Sequence, residues 1–202
     1  MNSILPGIKK NITNEEDTSN KIYNLIDKLY DNNELDSNEY LYILDNISSG
    51  ELHYLYEKGY KMKHQYYQNR VYLRGLIEIS NYCKMGCRYC GINNKVDTVD
   101  RYRLTVDEIL TCCDLGYNLG YRTFVIQSGE DSFYTDEVVS MMLREIKEKY
   151  PEIRITLSLG ERSKESFQTL FDAGADRYLL RHEAASRRLY EHLHPSFMSF
   201  DN

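Results

Sequence analysis

Apolar residues change rhythm once along this chain, close to residue 70. Before that point they recur at helical spacing. Ile22, Leu25, Ile26 and Leu29 form one stripe, and Tyr40, Leu41, Ile43 and Leu44 form a second, with Ser37 as its expected N-cap. Leu52, Leu55 and Tyr56 open a third helix expected to run to about Asn69. Ahead of these, Met1 to about Asn20 is polar and rich in Asn, Glu and Ser, which predicts an irregular lead-in. His53 and His64 read as surface or packing residues, and this region shows no cluster of catalytic side chains.

From Val71 the order becomes strand, loop, helix, repeated. Strands are predicted at Val71 to Ser80, Thr123 to Ile126, Ile153 to Leu159 and Arg177 to Leu180. A helix over Leu104 to Leu115 starts with Thr105 and, three residues on, Glu108, the signature of a capping box. A second helix, Thr135 to Lys149, carries Val138, Met142 and Ile146 on one face. A third, Ser163 to Ala173, closes at Gly174. Ala184 to Leu193 reads as a helical tail before Pro195. Strands alternating with helices bury a parallel sheet, so the fold class is α/β. About four βα units make part of a TIM-type (β/α) barrel, whose active sites lie at the C-terminal ends of the strands. The expected organisation is an N-terminal helical segment over 1–70 and the first half of a barrel over 71–202.

Composition narrows the function. At 202 residues and 42% hydrophobic content, the chain can bury one real core beside a helical appendage. A net charge of −6 leaves no global basic footprint for nucleic acid or an anionic membrane. No apolar run nears the roughly 20 residues of a spanning helix, and Met1 to Asn14 lacks a signal-peptide core. A soluble, cytoplasmic protein is expected. Five cysteines are an odd number, and three share a short motif, which argues for a reducing compartment rather than a disulfide framework. Cys112 and Cys113 are expected to be small buried hydrophobes.

The short motif is Cys83-Lys84-Met85-Gly86-Cys87-Arg88-Tyr89-Cys90, directly after the first strand. Thiols at that spacing can converge from one loop on one inorganic cluster, and thiolates are the usual ligands of a 4Fe–4S cube. Three ligands leave one iron open to a small molecule. A structural zinc ion would need a fourth ligand that nothing nearby supplies; zinc and free or disulfide-forming thiols are the alternatives. Polar motifs follow the later strands as well. Gln127-Ser128-Gly129-Glu130-Asp131 offers a glycine for close approach of a ligand to the backbone and two carboxylates for an ammonium. Ser158-Leu159-Gly160-Glu161 follows the third strand. Arg181-His182-Glu183 follows the fourth, its arginine suited to a carboxylate and its glutamate to ribose hydroxyls. His182 is a candidate for proton work or substrate binding, and Arg101-Tyr102-Arg103 is a short basic stretch after the cysteine loop.

The cysteine spacing resembles that of the radical S-adenosylmethionine enzymes, in which Tyr89 would stand beside the adenine. More of the chain resembles one family within them, the HydE-type maturases of FeFe-hydrogenase. The likeness runs through Arg74 to Cys83, Tyr89-Cys90-Gly91, Arg101-Tyr102-Arg103, Gln127 to Asp131, Thr156 to Glu161 and Ala175 to Glu183, and spans about residues 20–202. It implies a (β/α)8 barrel, a 4Fe–4S cluster on Cys83, Cys87 and Cys90, and S-adenosyl-L-methionine chelated to the open iron. One electron from the cluster would release a 5′-deoxyadenosyl radical, acting on a sulfur-ligated iron precursor of the hydrogenase active site. By position, Gly129 and Glu130 lie near the methionine end, Arg181 near its carboxylate and Glu183 near the ribose. Gln127, Ser128, Ser158 and Glu161 complete the expected cofactor-binding set. Implied partners are a small-molecule or iron-complex substrate, an electron donor such as a ferredoxin or flavodoxin, and other hydrogenase maturases.

The family's barrel continues about another 150 residues, so a fragment with an apolar inner face and an open edge is expected. Biotin synthase-like and methylornithine synthase-like enzymes share this architecture and are the alternatives within radical chemistry. A non-catalytic iron–sulfur module is the alternative outside it.

Overall fold

The computed structural model describes residues 15–181 and 183–201, and the chain divides between Val71 and Tyr72 into two compact units. The first unit holds three helices: α1 (Glu15–Asn32), α2 (Ser37–Asn46) and α3 (Ser49–Tyr67). Helix α1 begins at Glu15, so residues 15–20 of the expected lead-in are helical, and residues 1–14 lie outside the described set. The N-cap of α2 is Asp36 rather than Ser37. Its carboxylate accepts from the Asn38 and Glu39 amides, and Glu39 accepts in return from the Asp36 amide at 2.9 Å. Asp and Ser are near-equal cappers, and the Glu three residues on selects Asp36. Leu25, Leu35 and Ile43 form a small core. Glu51 is buried and accepts from the Ser19 and Ser48 hydroxyls, which hold its carboxyl down to about 2. His53 is exposed beside Glu57, and His64 lies against the Tyr60 ring.

In the second unit, β1 (Gly75–Ser80), β2 (Thr123–Ser128), β3 (Arg154–Ser158) and β4 (Arg177–Tyr178) form one parallel sheet in sequence order. Between them run α4 (Val106–Asn118), α5 (Asp136–Lys149) and α6 (Lys164–Asp172), and α7 (Arg187–Leu193) follows. Thr105, Thr135 and Ser163 cap the three connecting helices with side-chain hydrogen bonds to the first turn. Register puts Ile77, Ile126, Leu157 and Tyr178 on one rung and Glu78, Gln127 and Ser158 on the next. The first rung and its alternates, Ile79, Phe124 and Ile155, face the helices and pack with Ile109, Val139, Met142, Leu143 and Ile146.

Several expectations need correction. Strand β1 starts at Gly75, because Val71, Tyr72 and Leu73 are exposed and join no ladder. Strand β4 has only two residues. The Leu179 amide still bonds the Leu157 carbonyl, but Leu179 and Leu180 are exposed and the chain then leaves the sheet. The helical tail begins at Arg187 rather than Ala184. Cys113 is fully buried, with its thiol pushed up to about 12 by burial, whereas Cys112 is exposed. Successive helical residues point about 100° apart, so only one could face the core. The sheet face away from the helices is also not apolar. Leu76 and Val125 share it with Glu78, Thr123, Gln127, Thr156, Ser158, Arg154 and Arg177. Among the described residues no helix is long and apolar enough to cross a membrane.

Candidate cofactor site at the strand ends

The loop after β1 owes its shape to side chains rather than to regular secondary structure. Asn93 donates to the Cys90 carbonyl at 2.6 Å and accepts from the Lys95 amide, while Asn94 donates to the Lys84 carbonyl at 2.7 Å. The Lys84 amide bonds the Glu130 carbonyl at 2.9 Å, fastening the loop to the one after β2. That fastening requires Gly129. A Cβ there would stand 2.4 Å from the Tyr82 carbonyl oxygen and 2.6 Å from the Cys83 Cβ, so the glycine serves the approach of two protein loops. Gly160, at φ +84°, does the same for a side chain: its missing Cβ makes room for Glu130.

Beside the loop lies an ion pair with one buried partner, Asp131, and one exposed partner, Arg103. Asp131 receives Arg103 through both carboxylate oxygens, at 2.7 and 2.9 Å, and the Ser80 hydroxyl at 2.6 Å. The Arg103 guanidinium also rests on the Tyr82 ring, 4.0 Å from its centroid. Burial raises the Asp131 carboxyl, but Arg103, Ser80 and the Phe133 amide outweigh it and the net shift is downward. Asp131 is therefore engaged within the protein. Of the two carboxylates expected to meet an ammonium, only Glu130 remains, with the Lys84 ammonium 3.6 Å away.

A cavity of about 340 Å³ opens at the C-terminal ends of the strands. All three loop cysteines line it, together with Tyr89, Gly129 and Glu130. Glu161, Arg181 and Glu183 join them from the ends of β3 and β4. Arg181 is steadied by donating to the Ser128 carbonyl at 3.1 Å. Three expected residues stand off this wall. Gln127 donates to Glu78 at 2.9 Å on the polar sheet face, Ser128 bonds the Gly129 carbonyl, and Ser158 is fully buried with no hydrogen-bond partner among the described residues. His182 lies outside the described residues.

The far wall comes from a segment not expected to contribute. Tyr190, His194, Met198 and Phe200 all line the cavity. His194 stacks on Tyr190 at 3.9 Å between ring centroids and meets the Tyr89 hydroxyl at 3.2 Å through Nε2. The Arg88 amide bonds the Leu193 carbonyl, tying this segment to the cysteine loop. The signal in the sequence was the Tyr190 and His194 pair, one helical turn apart at the end of the tail.

Three thiols from one loop on one cavity are the donor type that an iron–sulfur cube takes. Among the described residues no group of three His, Cys, Asp or Glu side chains is gathered to hold one metal ion. A mononuclear site needs every donor about 2.3 Å from one centre, whereas a cube takes one thiolate on each of several irons. Burial, with the neighbouring sulfurs adding to it and the Tyr89 hydroxyl opposing, pushes the Cys87 thiol above its ordinary value. A bound metal centre would deprotonate it outright.

Residues 77–198 match the family model described as the radical SAM superfamily. The chain is 40% identical over 148 residues to the [FeFe] hydrogenase maturase subunit HydE of Thermotoga maritima, covering 73% of this chain and 42% of that protein. It is 29% identical over 173 residues to the 3-methylornithine synthase of Methanosarcina acetivorans, covering 83% of this chain and 48% of the relative. The chain thus spans about half, or less, of the curated relatives it matches. Among solved structures, a methylornithine synthase superposes with a TM-score of 0.73 at 29% identity, over 88% of this chain and 52% of that one. HydG, a maturase of the [FeFe]-hydrogenase, superposes at 0.76 with 24% identity, over 90% and 42%, and bears on the fold alone.

Proposed function

The chain belongs to the radical SAM superfamily, and from that premise we propose that it acts as a HydE-type radical S-adenosylmethionine enzyme in assembly of the FeFe-hydrogenase active site. The main support is the convergence of Cys83, Cys87 and Cys90 with Glu130, Arg181 and Glu183 on one cavity. In this reading the unit from Tyr72 onward is the catalytic barrel portion and the helices of residues 15–71 are an appendage. Cys83, Cys87 and Cys90 hold a 4Fe–4S cluster with one open iron. Bound together, cluster and S-adenosylmethionine supply an electron transfer that cleaves the sulfonium and yields a 5′-deoxyadenosyl radical.

The protein's own part is placement and exclusion of water. Gly129 and Glu130 meet the methionine ammonium, Arg181 its carboxylate, Glu183 the ribose and Tyr89 the adenine. Glu161 faces the same cavity, and Gln127, Ser128 and Ser158 stand behind its wall at the ends of β2 and β3. Tyr190, His194 and Phe200 shield the cavity's far side. A ferredoxin or flavodoxin serves as electron donor in a reducing cytoplasm, and the other maturases exchange the iron-bearing substrate.

The test is electron paramagnetic resonance of the anaerobically reconstituted, reduced chain, with and without S-adenosylmethionine. A 4Fe–4S signal whose g-values move on addition of the cofactor is the expected result. A signal that ignores the cofactor sinks the reading and leaves a passive cluster-binding module. The likeness to methylornithine synthase favours a second reading, in which the substrate is an amino acid. Release of 5′-deoxyadenosine on adding amino acids, and not on adding thiol-ligated iron complexes, would select it.

A further inference from the structure

Arg101 belongs to neither the cavity wall nor any ion pair among the described residues, yet its guanidinium is half-buried under the cysteine loop. Its four terminal N–H groups all go to backbone carbonyls. One nitrogen donates to Asn81 and to Ile92 (2.8 Å), the other to Asn93 (2.9 Å) and Val96 (2.8 Å). Asn81 lies two residues before Cys83, and the other three acceptors follow Cys90. One planar cation therefore ties the chain entering the loop to the chain leaving it. Asn81 is pinned in turn by Tyr102 and Asp100, and Asn93 holds the Cys90 carbonyl. Residues 91–99 have no helix or strand to satisfy their carbonyls, so the guanidinium serves groups that would otherwise need water.

We infer that Arg101 is a positioning residue that sets the cysteine loop in its cluster-binding shape before the cluster arrives. This rests on the function proposed above. A lysine cannot replace it, because an ammonium has three tetrahedral donors and cannot serve four acceptors around one plane.

The test compares the wild-type chain with Arg101→Ala and Arg101→Lys, each reconstituted anaerobically with iron and sulfide. Charge-assisted hydrogen bonds are the strong ones, so Arg101→Ala should lose cluster iron to a chelator about tenfold faster, with Arg101→Lys in between. Millimolar methylguanidinium should slow the loss from Arg101→Ala and leave Arg101→Lys unchanged. Thermal unfolding of the cluster-free proteins should coincide, since all four acceptors of Arg101 lie outside the strands and helices. Iron release equal to wild type overturns the inference. So does a matching loss of fold in both variants, which would make Arg101 a general stabiliser. A wild-type chain that takes up no cluster sinks the function itself, and that outcome is distinct from equal release in all three proteins.

Discussion

The two faces of the parallel sheet are built on opposite terms. Toward the helices, Ile77, Ile79, Phe124, Ile126, Ile155 and Leu157 are all at most 6% exposed and form one continuous core. On the other face Glu78 and Gln127 bond each other, and the Thr156 and Ser158 hydroxyls are buried without hydrogen-bond partners among the described residues. Burying a polar group without a partner is unfavourable, so that face is not arranged for stability. Stability resides on one side of the sheet. The other side carries polar groups, and the cavity opens at the strand ends.

The largest effect should come from the packed face. Leu157→Ala removes a fully buried side chain from the core and should destabilise the chain by about 3 kcal/mol in urea unfolding. A cost under about 1 kcal/mol would mean the helix-facing side is not the core, and the contrast between faces would fail.

Next is the polar junction at the strand ends. Asp131→Asn should cost about 2 kcal/mol, less than a fully buried pair because the Arg103 side chain is 37% exposed. The Asp131 carboxyl is depressed in the folded chain. Its contribution is therefore present above the unfolded value of about 3.9 and lost as pH falls through the lower folded value. The variant should show a shallower loss of stability below about pH 4. Parallel acid-unfolding curves for both proteins would remove the pair from the account.

The smallest effect should have the opposite sign. Thr156→Val replaces a buried, unpartnered hydroxyl with a methyl of similar shape, and should stabilise by up to about 1 kcal/mol in the same assay. Destabilisation there would show that the polar face already contributes to the fold.

Much of this was legible along the chain. The shift from helical to alternating periodicity marks the change of architecture near residue 70. Thr105 with Glu108, Thr135 and Ser163 announce helix starts because capping is local. The cysteine motif and the acidic and basic residues after the strands were readable for the same reason: spacing of three and two residues and the strand-end rule need no distant partner.

Other features depended on distant groups. That Asp131 is occupied by Arg103 follows from a bond across 28 residues, which no local pattern reports. Gly129 lines the cavity and also packs against Tyr82 and Cys83, 46 and more residues earlier, a close approach that no local pattern reports. Likewise, nothing local says that Tyr190 and His194 fold back onto Tyr89, 105 residues before the histidine. The elements, their order and the chemical types held at the strand ends can be read along the chain, because they follow from periodicity and short-range hydrogen bonding. Which of those polar groups are bound to each other and which face the cavity is set by folding, because partners for a charge or a hydroxyl are chosen by proximity in space.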